Sequence, residues 1–438
     1  MSYALELLEN KLIDGEALAP STLARFRKLI AVSGVEERES PGTKRIQLQF
    51  VPGRIEVLGK HTDYAGGESL TCASQRGIVA VAEKHDRSSL ILHDYARSIN
   101  IEIPYDNPTV GPSWSVYPVA VLKRMIRHFG RPQSGIHVSM HSDLPSASGM
   151  SSSSSLVITV LQALLFDQQY SDARSILSAP ETLSGFAGAL ESGADFEDFV
   201  GDEGVGTRGG SQDHTAIVMS KAGELGLFAY HPVEKLKTVR LPHDFELVIG
   251  GSGIKASKTG DAKEKYNLAS DRAAEVARLY SEDVGEYFET MGSMMASPNF
   301  DRDSLRHCIR DDSLWDRFSQ FERECGLVIP RVIAAIDNGD WVTVGSMCDE
   351  SHRMAADLLG NQIPETSFLV SSAREKGAVG ACGFGAGFGG AVWALVRRSE
   401  SDDFLTKWKS DYAIRYPLAA RKAVFFKDSP GPGAFIIR

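Results

Sequence analysis

Three glycine-bearing segments hold the residue types that chemistry needs. The first, Pro52 to Gly67, sets Arg54, Lys60, His61, Asp63 and Tyr64 between glycines. Charged and aromatic groups offered from a glycine-flanked turn suit a polyhydroxylated ligand, although an ordinary surface turn with an ion pair uses the same residues. The second, Asp143 to Leu156, contains Pro145, Ser148 and Gly149 and ends in the serine run Ser151–Ser155 ahead of an apolar stretch. A small-residue turn opening a helix offers unpaired N–H groups and a positive dipole end to phosphate. Serine hydroxyls there donate to phosphate or ligate Mg²⁺. One serine is accounted for as a helix cap; a run of five exceeds that need. The third, Gly380 to Gly390, is glycine-rich and lets backbone approach a ligand or a neighbouring loop closely.

Gly385, Gly387 and Gly390 satisfy GxGxxG, but the dinucleotide reading requires a strand before the motif and a helix after it. A strand-like run, Ala391–Arg397, follows instead. No GxxxxGK[ST] occurs, and Gly250–Lys258 has the wrong spacing for one. HExxH and the protein-kinase motifs are absent as well.

The elements that must position these segments follow from periodicity. Residues 1–40 read as a helical extension. Strands are expected at Arg45–Val51, Gly77–Glu83, Ser89–His93, Asn100–Pro104, Ile136–Met140, Leu225–Tyr230 and Phe245–Ile249, where β-branched residues or alternation dominate. Helical spacing covers Tyr117–Phe129, Ser151–Phe166 and Leu183–Ala194, and a Gly-rich loop follows at Gly201–Gly210. Beyond Asp261 helices prevail (Ala262–Leu279, Leu314–Asn338, Trp341–Leu359, Ser367–Lys376), with strand-like runs at Ala391–Arg397 and Lys422–Phe426. The change of character near residue 240 divides the chain into lobes 1–240 and 241–438, an α+β protein.

Bulk properties bound the partners. The chain has 438 residues, a formal net charge of −10 and no run of Lys and Arg, which argues against nucleic acid or an anionic membrane. An anionic nucleotide is still admissible, because local N–H groups and a metal outweigh the global field. Cys72, Cys308, Cys325, Cys348 and Cys382 are scattered with no CxxC pair, pointing to a reduced, cytoplasmic chain rather than a disulfide or zinc framework. No secretory leader or apolar span of about 18 residues is apparent.

Taken in order, the three segments resemble the signatures of the GHMP kinases, in particular the galactokinase branch. Gly53–Gly67 reads GRIEVLGKHTDYAGG against a family pattern near GRxNLIGEHTDYNGG. Pro145–Leu156 reads PSASGMSSSSSL against PLGAGLSSSASL, and Gly385–Leu395 reads GAGFGGAVWAL against GAGFGGCVVAL. Gly210-Ser-Gln-Asp213 lies where the family has Gly-Ile-Met-Asp, and Tyr266 where it has a sugar-contacting tyrosine. The resemblance covers the chain from about residue 45 to its end.

It implies a two-lobed fold, an N-terminal lobe like ribosomal protein S5 domain 2 and a ferredoxin-like C-terminal lobe, with ATP and sugar meeting between them. It implies a sugar 1-kinase, with ATP and Mg²⁺, acting as a monomer or weak homodimer. Asp213 would be the carboxylate beside the sugar O1, with Arg54 near it, lowering its pKa and stabilising the transferring phosphoryl. His61, Asp63, Gly210 and Tyr266 would contact the sugar. Pro145, Ser148, Gly149 and Ser151–Ser154 would hold ATP. Ser152 or Ser153 would ligate Mg²⁺ together with Glu191, Glu197 being the alternative. Asp213 as a plain helix cap remains the bland reading.

Lys60 departs from the pattern, standing where the family has a glutamate that accepts from the sugar 6-hydroxyl. Lysine donates and is positive, so it would suit a C6 carboxylate such as galacturonate, donate to the hydroxyl oxygen, or turn away to pair with Glu56 or Glu68. Ser146 and Ala147, replacing Leu and Gly of the phosphate loop, look compatible with ATP. Rival readings are a catalytically idle sugar sensor, and a kinase of mevalonate or homoserine, which the HTDYxGG segment disfavours.

Overall fold

Alternating apolar residues along the N-terminal half assemble into one large sheet. The computed structural model describes residues 3–9, 12–13, 16–17, 19–35, 46–145, 148–255 and 261–437. Arg45, Ser146, Ala147 and Lys258 lie outside the described residues. A short pair, β1 (Leu12–Ile13) and β2 (Glu16–Ala17), precedes the main strands. These are β3 (Ile46–Leu58), β4 (Ser69–His85), β5 (Ser89–Asp94), β6 (Ile99–Pro104) and β7 (Gly135–Ser142), joined by β8 (Glu224–Tyr230) and β9 (Val233–Arg240). β3 and β4 run longer than the sequence pattern suggests, and β9 was not foreseen.

The order is β3-β4-β7-β5-β6, with β8 on β4 and β9 outside β8; β5 and β7 are parallel and the other pairs antiparallel. β3 is buried along its whole length because the sheet is covered on both faces. On one face Val119, Leu122 and Met125 of helix Val116–Phe129, Val157, Val160 and Leu161 of helix Ser152–Leu164, and Phe186 and Leu190 of helix Pro180–Ser192 share a core with Ala80, Leu90 and Val138. On the other, Phe26, Leu29 and Ile30 of helix Pro20–Ser33 pack on Leu48, Phe50, Val79 and Val81. The described part of the N-terminal extension thus lies behind the sheet. Gln47 and Gln49, buried on β3, donate to the carbonyls of Gln162 and Thr159, so the serine helix is hydrogen-bonded to the strand as well as packed on it.

The second sheet holds β10 (Phe245–Gly251), β11 (Gly380–Phe384), β12 (Ala391–Arg397) and β13 (Val424–Asp428) in the order β11-β12-β10-β13, all antiparallel. With helices between β10 and β11 and between β12 and β13 this is the βαββαβ, ferredoxin-like arrangement expected. The long helix between β12 and β13, Ser401–Arg415, escaped the sequence reading because its buried face is a thin stripe, Phe404, Trp408 and Tyr412. The expected helix Leu314–Asn338 is broken into Asp312–Arg323 and Ile329–Asn338 by a π-turn at Glu324–Val328. That wide turn aims Glu324 at the Gly59 N–H, 2.8 Å away.

The lobes share a core: Ile55, Leu58 and Leu70 pack with Leu247, Ile249, Phe384 and Trp393. The end of the chain returns from the second sheet to the first. β14 (Phe435–Ile437) pairs with β3 and closes the edge of the first lobe's sheet. Among the described residues no helix is long and apolar enough to cross a membrane.

Ile437 is fully buried against Leu48, Phe50 and helix Pro20–Ser33. Ile437→Ala is expected to cost about 2–4 kcal/mol in urea unfolding, as a large-to-small change in a core does. A cost below about 0.5 kcal/mol would show that the C-terminal strand does not close the sheet in solution.

Candidate active site

Arg54 and Glu56 are two residues apart on β3 and therefore face the same way. The Arg54 side chain is 4% exposed. Its Nε and Nη2 lie 2.8 and 2.7 Å from Oδ1 of Asp213, and its Nη1 donates to the Gly149 carbonyl at 2.6 Å. One guanidinium thus ties the strand to the start of helix Gln212–Met219 and to the phosphate-loop candidate. Burial opposes its charge, but Asp213 and Glu56 more than offset this and raise its pKa. Ser211 occupies the cap position of that helix, so Asp213 is not its cap.

The serine run divides its tasks. Gly149 and Ser151 have left-handed backbones (φ 75° and 55°), which turn the chain into the helix beginning at Ser152. Ser151 makes no capping bond, and its buried Oγ has no partner among the described residues. Ser148 donates to Pro145 O and Ser155 to Pro52 O. Ser152 and Ser153 are half-buried. Ser154, not Ser152 or Ser153, reaches Glu191: its Oγ lies 2.8 Å from Glu191 Oε2 and 3.4 Å from Asp213 Oδ2. Helical rotation puts position 154 under the turn and the two before it outward.

Glu191 is 4% exposed and lines the cleft, with His214 Nε2 3.0 Å from its Oε2; Glu197 is exposed on the following loop. Mg²⁺ commonly takes one or two protein oxygens and completes its shell with phosphates and water. Glu191 and a serine hydroxyl fit that demand. Among the described residues no cluster of three or more His, Cys, Asp or Glu side chains is placed to hold a metal by itself.

The turn after β3 supplies the remaining wall. His61 has φ 56°; its Nδ1 is 2.7 Å from Tyr64 Oη, its Nε2 is 3.1 Å from Ala386 O, and Arg317 donates to its carbonyl at 2.5 Å. The imidazole is therefore pinned to the third segment. Asp63 accepts from the Gln212 N–H at 3.2 Å. Burial, with Asp213 adding to it, raises its pKa. A methyl group on Gly210 would fall 2.6 Å from Asp63 Oδ2, so only glycine leaves that carboxylate its place. Tyr266 is buried, its ring centroid 5.1 Å from that of His61. Gly385 (φ 83°) lies so near the serine loop that a methyl there would be 2.8 Å from Gly149 O. β11 precedes the GxGxxG match and β12 follows it, with no helix, so it is no dinucleotide motif.

Arg54, Glu56, His61, Asp63, Ser154, Glu191, Gly210, Asp213, Tyr266, Gly385 and Ala386 thus line one cleft. Lys60 is not among them. It is 1% exposed, and its ammonium is turned into the second lobe, 3.2 Å from Ser351 Oγ and 2.9 Å from Cys382 Sγ. It pairs with neither Glu56 nor Glu68 by direct contact, and the ammonium does not face the cleft as a sugar contact would.

Sequence reasoning passed over Glu56. It is 2% exposed; its Oε2 accepts from Gln212 Nε2 at 2.9 Å and lies 3.9 Å from Arg54 Nη2, whereas its Oε1 has no partner among the described residues. Burial pushes its carboxyl up to about 7 despite the opposing fields of Arg54 and Lys60. The signal was its spacing: two after an arginine already singled out, on the same strand.

Comparisons with known proteins bear on the family and the fold. Residues 38–84 match a galactokinase galactose-binding signature, residues 116–195 a GHMP kinases N terminal domain, and residues 332–414 a GHMP kinases C terminal model. A galactokinase of Thermococcus kodakarensis is 27% identical over 81% of this chain and 90% of its own. One of Streptomyces coelicolor is 25% identical over 96% and 99%. The crystal structure of Lactococcus lactis galactokinase complexed with galactose superposes with a TM-score of 0.76 at 21% identity, covering 92% of this chain and 99% of that one. Methanococcus jannaschii mevalonate kinase reaches 0.55 at 13% identity over 89% of this chain and 99% of its own. At these identities the solved structures speak for the fold.

The raised Glu56 pKa has a stability consequence. A group that titrates near 7 when folded and near 4.5 when free favours the folded state fully below about pH 4.5 and loses that contribution as pH rises through about 7. The loss is on the order of 2–3 kcal/mol. Urea midpoints between pH 4.5 and 8 are expected to fall more steeply in the parent protein than in Glu56→Gln. Parallel profiles would refute a perturbed Glu56.

Proposed function

The chain belongs to the GHMP kinases and carries the galactokinase galactose-binding signature, and on that footing we propose that it transfers the γ-phosphoryl of ATP to the anomeric hydroxyl of galactose or a close relative. The observation that carries this reading is the contact of Arg54 with both Asp213 and Gly149 O, which joins a carboxylate to a phosphate-loop candidate across one guanidinium.

Phosphoryl transfer asks the protein for positioning and charge stabilisation more than for covalent chemistry. Pro145, Ser148, Gly149 and Ser151–Ser154 would hold the nucleotide phosphates at the helix N-terminus, where N–H groups are unpaired. Glu191, with Ser154 or its neighbours Ser152 and Ser153, would hold Mg²⁺, which would supply positive charge to the nucleotide phosphates. Asp213 accepts the proton of the sugar O1 hydroxyl or orients that hydroxyl. Arg54 fixes its Oδ1 and leaves Oδ2 toward Ser154. Asp63, His61, Gly210 and Tyr266 bind the sugar.

Charge argues for a neutral sugar over a uronic acid. Among the described residues lining the cleft, Arg54 is the one permanent cation, facing the carboxyl groups of Glu56, Asp63, Glu191 and Asp213. A C6 carboxylate would add negative charge with the Lys60 ammonium turned away. A polyol brings hydroxyl donors to an acceptor-rich wall. A sensor would have no use for Asp213, Glu191 and the serine run together, and the galactose-binding signature argues against mevalonate or homoserine as substrate.

Asp213→Ala is expected to lower kcat for galactose by about 10²–10⁴-fold, the usual worth of a general base, while nucleotide still binds. Near-parental turnover in a folded Asp213→Ala protein would defeat the assignment. In an ADP-release screen with ATP, galactose is expected to exceed galacturonate by orders of magnitude in kcat/KM. The reverse order, abolished in Lys60→Ala, would restore the uronic-acid reading.

A further inference from the structure

Most polar groups around the sugar side of the cleft are engaged within the protein. Arg54 is bound to Asp213 and Gly149, His61 to Tyr64 and Ala386, and Asp63 to the Gln212 N–H. Glu56 stands apart. Both of its close neighbours, Gln212 and Arg54, meet Oε2, and Oε1 is buried with no partner among the described residues. A carboxylate oxygen left unpaired in a buried wall carries a desolvation penalty, and a bound hydroxyl removes it. No part of the mechanism above uses this group. In the family pattern quoted earlier the position holds asparagine, whereas this chain sets a carboxylate on the same strand face as Arg54.

We propose that Glu56 is a specificity-determining residue of the sugar site, its Oε1 accepting a hydrogen bond from one non-anomeric hydroxyl of the bound sugar. The proposal rests on the sugar-kinase reading. The neighbourhood selects the ligand group: with Arg54 bound to Asp213 and Lys60 turned away, a neutral donor suits Oε1 where an anion does not. Gln212 fixes the carboxylate by holding Oε2 from the helix that also carries Asp213, so sugar orientation and the catalytic carboxylate are set by neighbouring residues.

The test is kcat/KM with ATP for galactose and its 2-, 3-, 4- and 6-deoxy analogues, in the parent, Glu56→Gln and Glu56→Asp proteins. In the parent, the analogue lacking the bonded hydroxyl is expected to lose roughly 10- to 100-fold relative to galactose, as loss of a bond to a charged group does. In Glu56→Gln, galactose itself drops by a similar factor, mainly through KM. That one deoxy penalty shrinks to within about threefold, while the other three stay as in the parent. Glu56→Asp, which keeps the charge but withdraws it by one methylene, falls between; it also serves if the amide variant folds poorly. If all four deoxy penalties pass unchanged into both variants, Glu56 is structural and the proposal is overturned. A parent protein that turns over no galactose would overturn the kinase reading and this proposal with it; turnover with unchanged penalties overturns this proposal alone.

Discussion

A guanidinium taken out of water must be compensated, and Arg54 meets that requirement by binding groups 159 and 95 residues away in sequence. Removing one member of such a buried pair commonly costs about 3–5 kcal/mol, because the other charge is left uncompensated. The penalty makes the arrangement stiff. Strand β3, the first turn of helix Gln212–Met219 and the serine loop cannot drift apart without stranding a charge. A site that acts by positioning needs that stiffness before its ligands arrive.

Close backbone approach is the second constraint, and it explains where the glycines stand. A methyl on Gly149 would lie 2.9 Å from Phe384 O, and one on Gly385 would lie 2.8 Å from Gly149 O. The serine loop and the glycine-rich corner between β11 and β12 therefore touch backbone to backbone across the lobe boundary. Gly210, for its part, leaves room for the Asp63 carboxylate. The corner also reaches the sugar turn through Ala386 O and His61. Glycine in these segments is less a sign of mobility than of three loops sharing one narrow space.

This explains what the sequence disclosed and what it withheld. Segments whose chemistry is local were legible: the serine helix, the strand–turn carrying Arg54 and Asp63, and the principal strands, since apolar period and turn residues are written in consecutive positions. Features set by distant partners were not. Glu56 reads as one more polar strand residue until Gln212 is brought beside it. Ser154 differs from Ser152 and Ser153 by rotation about a helix axis, which a run of identical letters hides. β14 is three residues long and acquires its meaning from β3, and helix Ser401–Arg415 has too thin an apolar stripe to announce itself.

Lys60 is the most instructive of these, because its charge reaches the cleft although its ammonium does not. It lies among Ser351, Cys382 and the Glu324 that holds the Gly59 N–H. Burial opposes its charge, but the fields of Cys382, Glu324 and Glu56 outweigh that and raise its pKa. The same coupling seen from Glu56 is a cation behind the wall that tempers how far burial lifts the carboxyl. Field in a low-dielectric interior decays slowly, so a buried charge acts beyond hydrogen-bond range. Glu56 and Lys60 are thus physically one unit: an acid in the cleft wall and a base placed behind it. A carboxylate this deep, with Asp63 and Asp213 nearby, would be far harder to keep ionised for hydroxyl binding without that second charge.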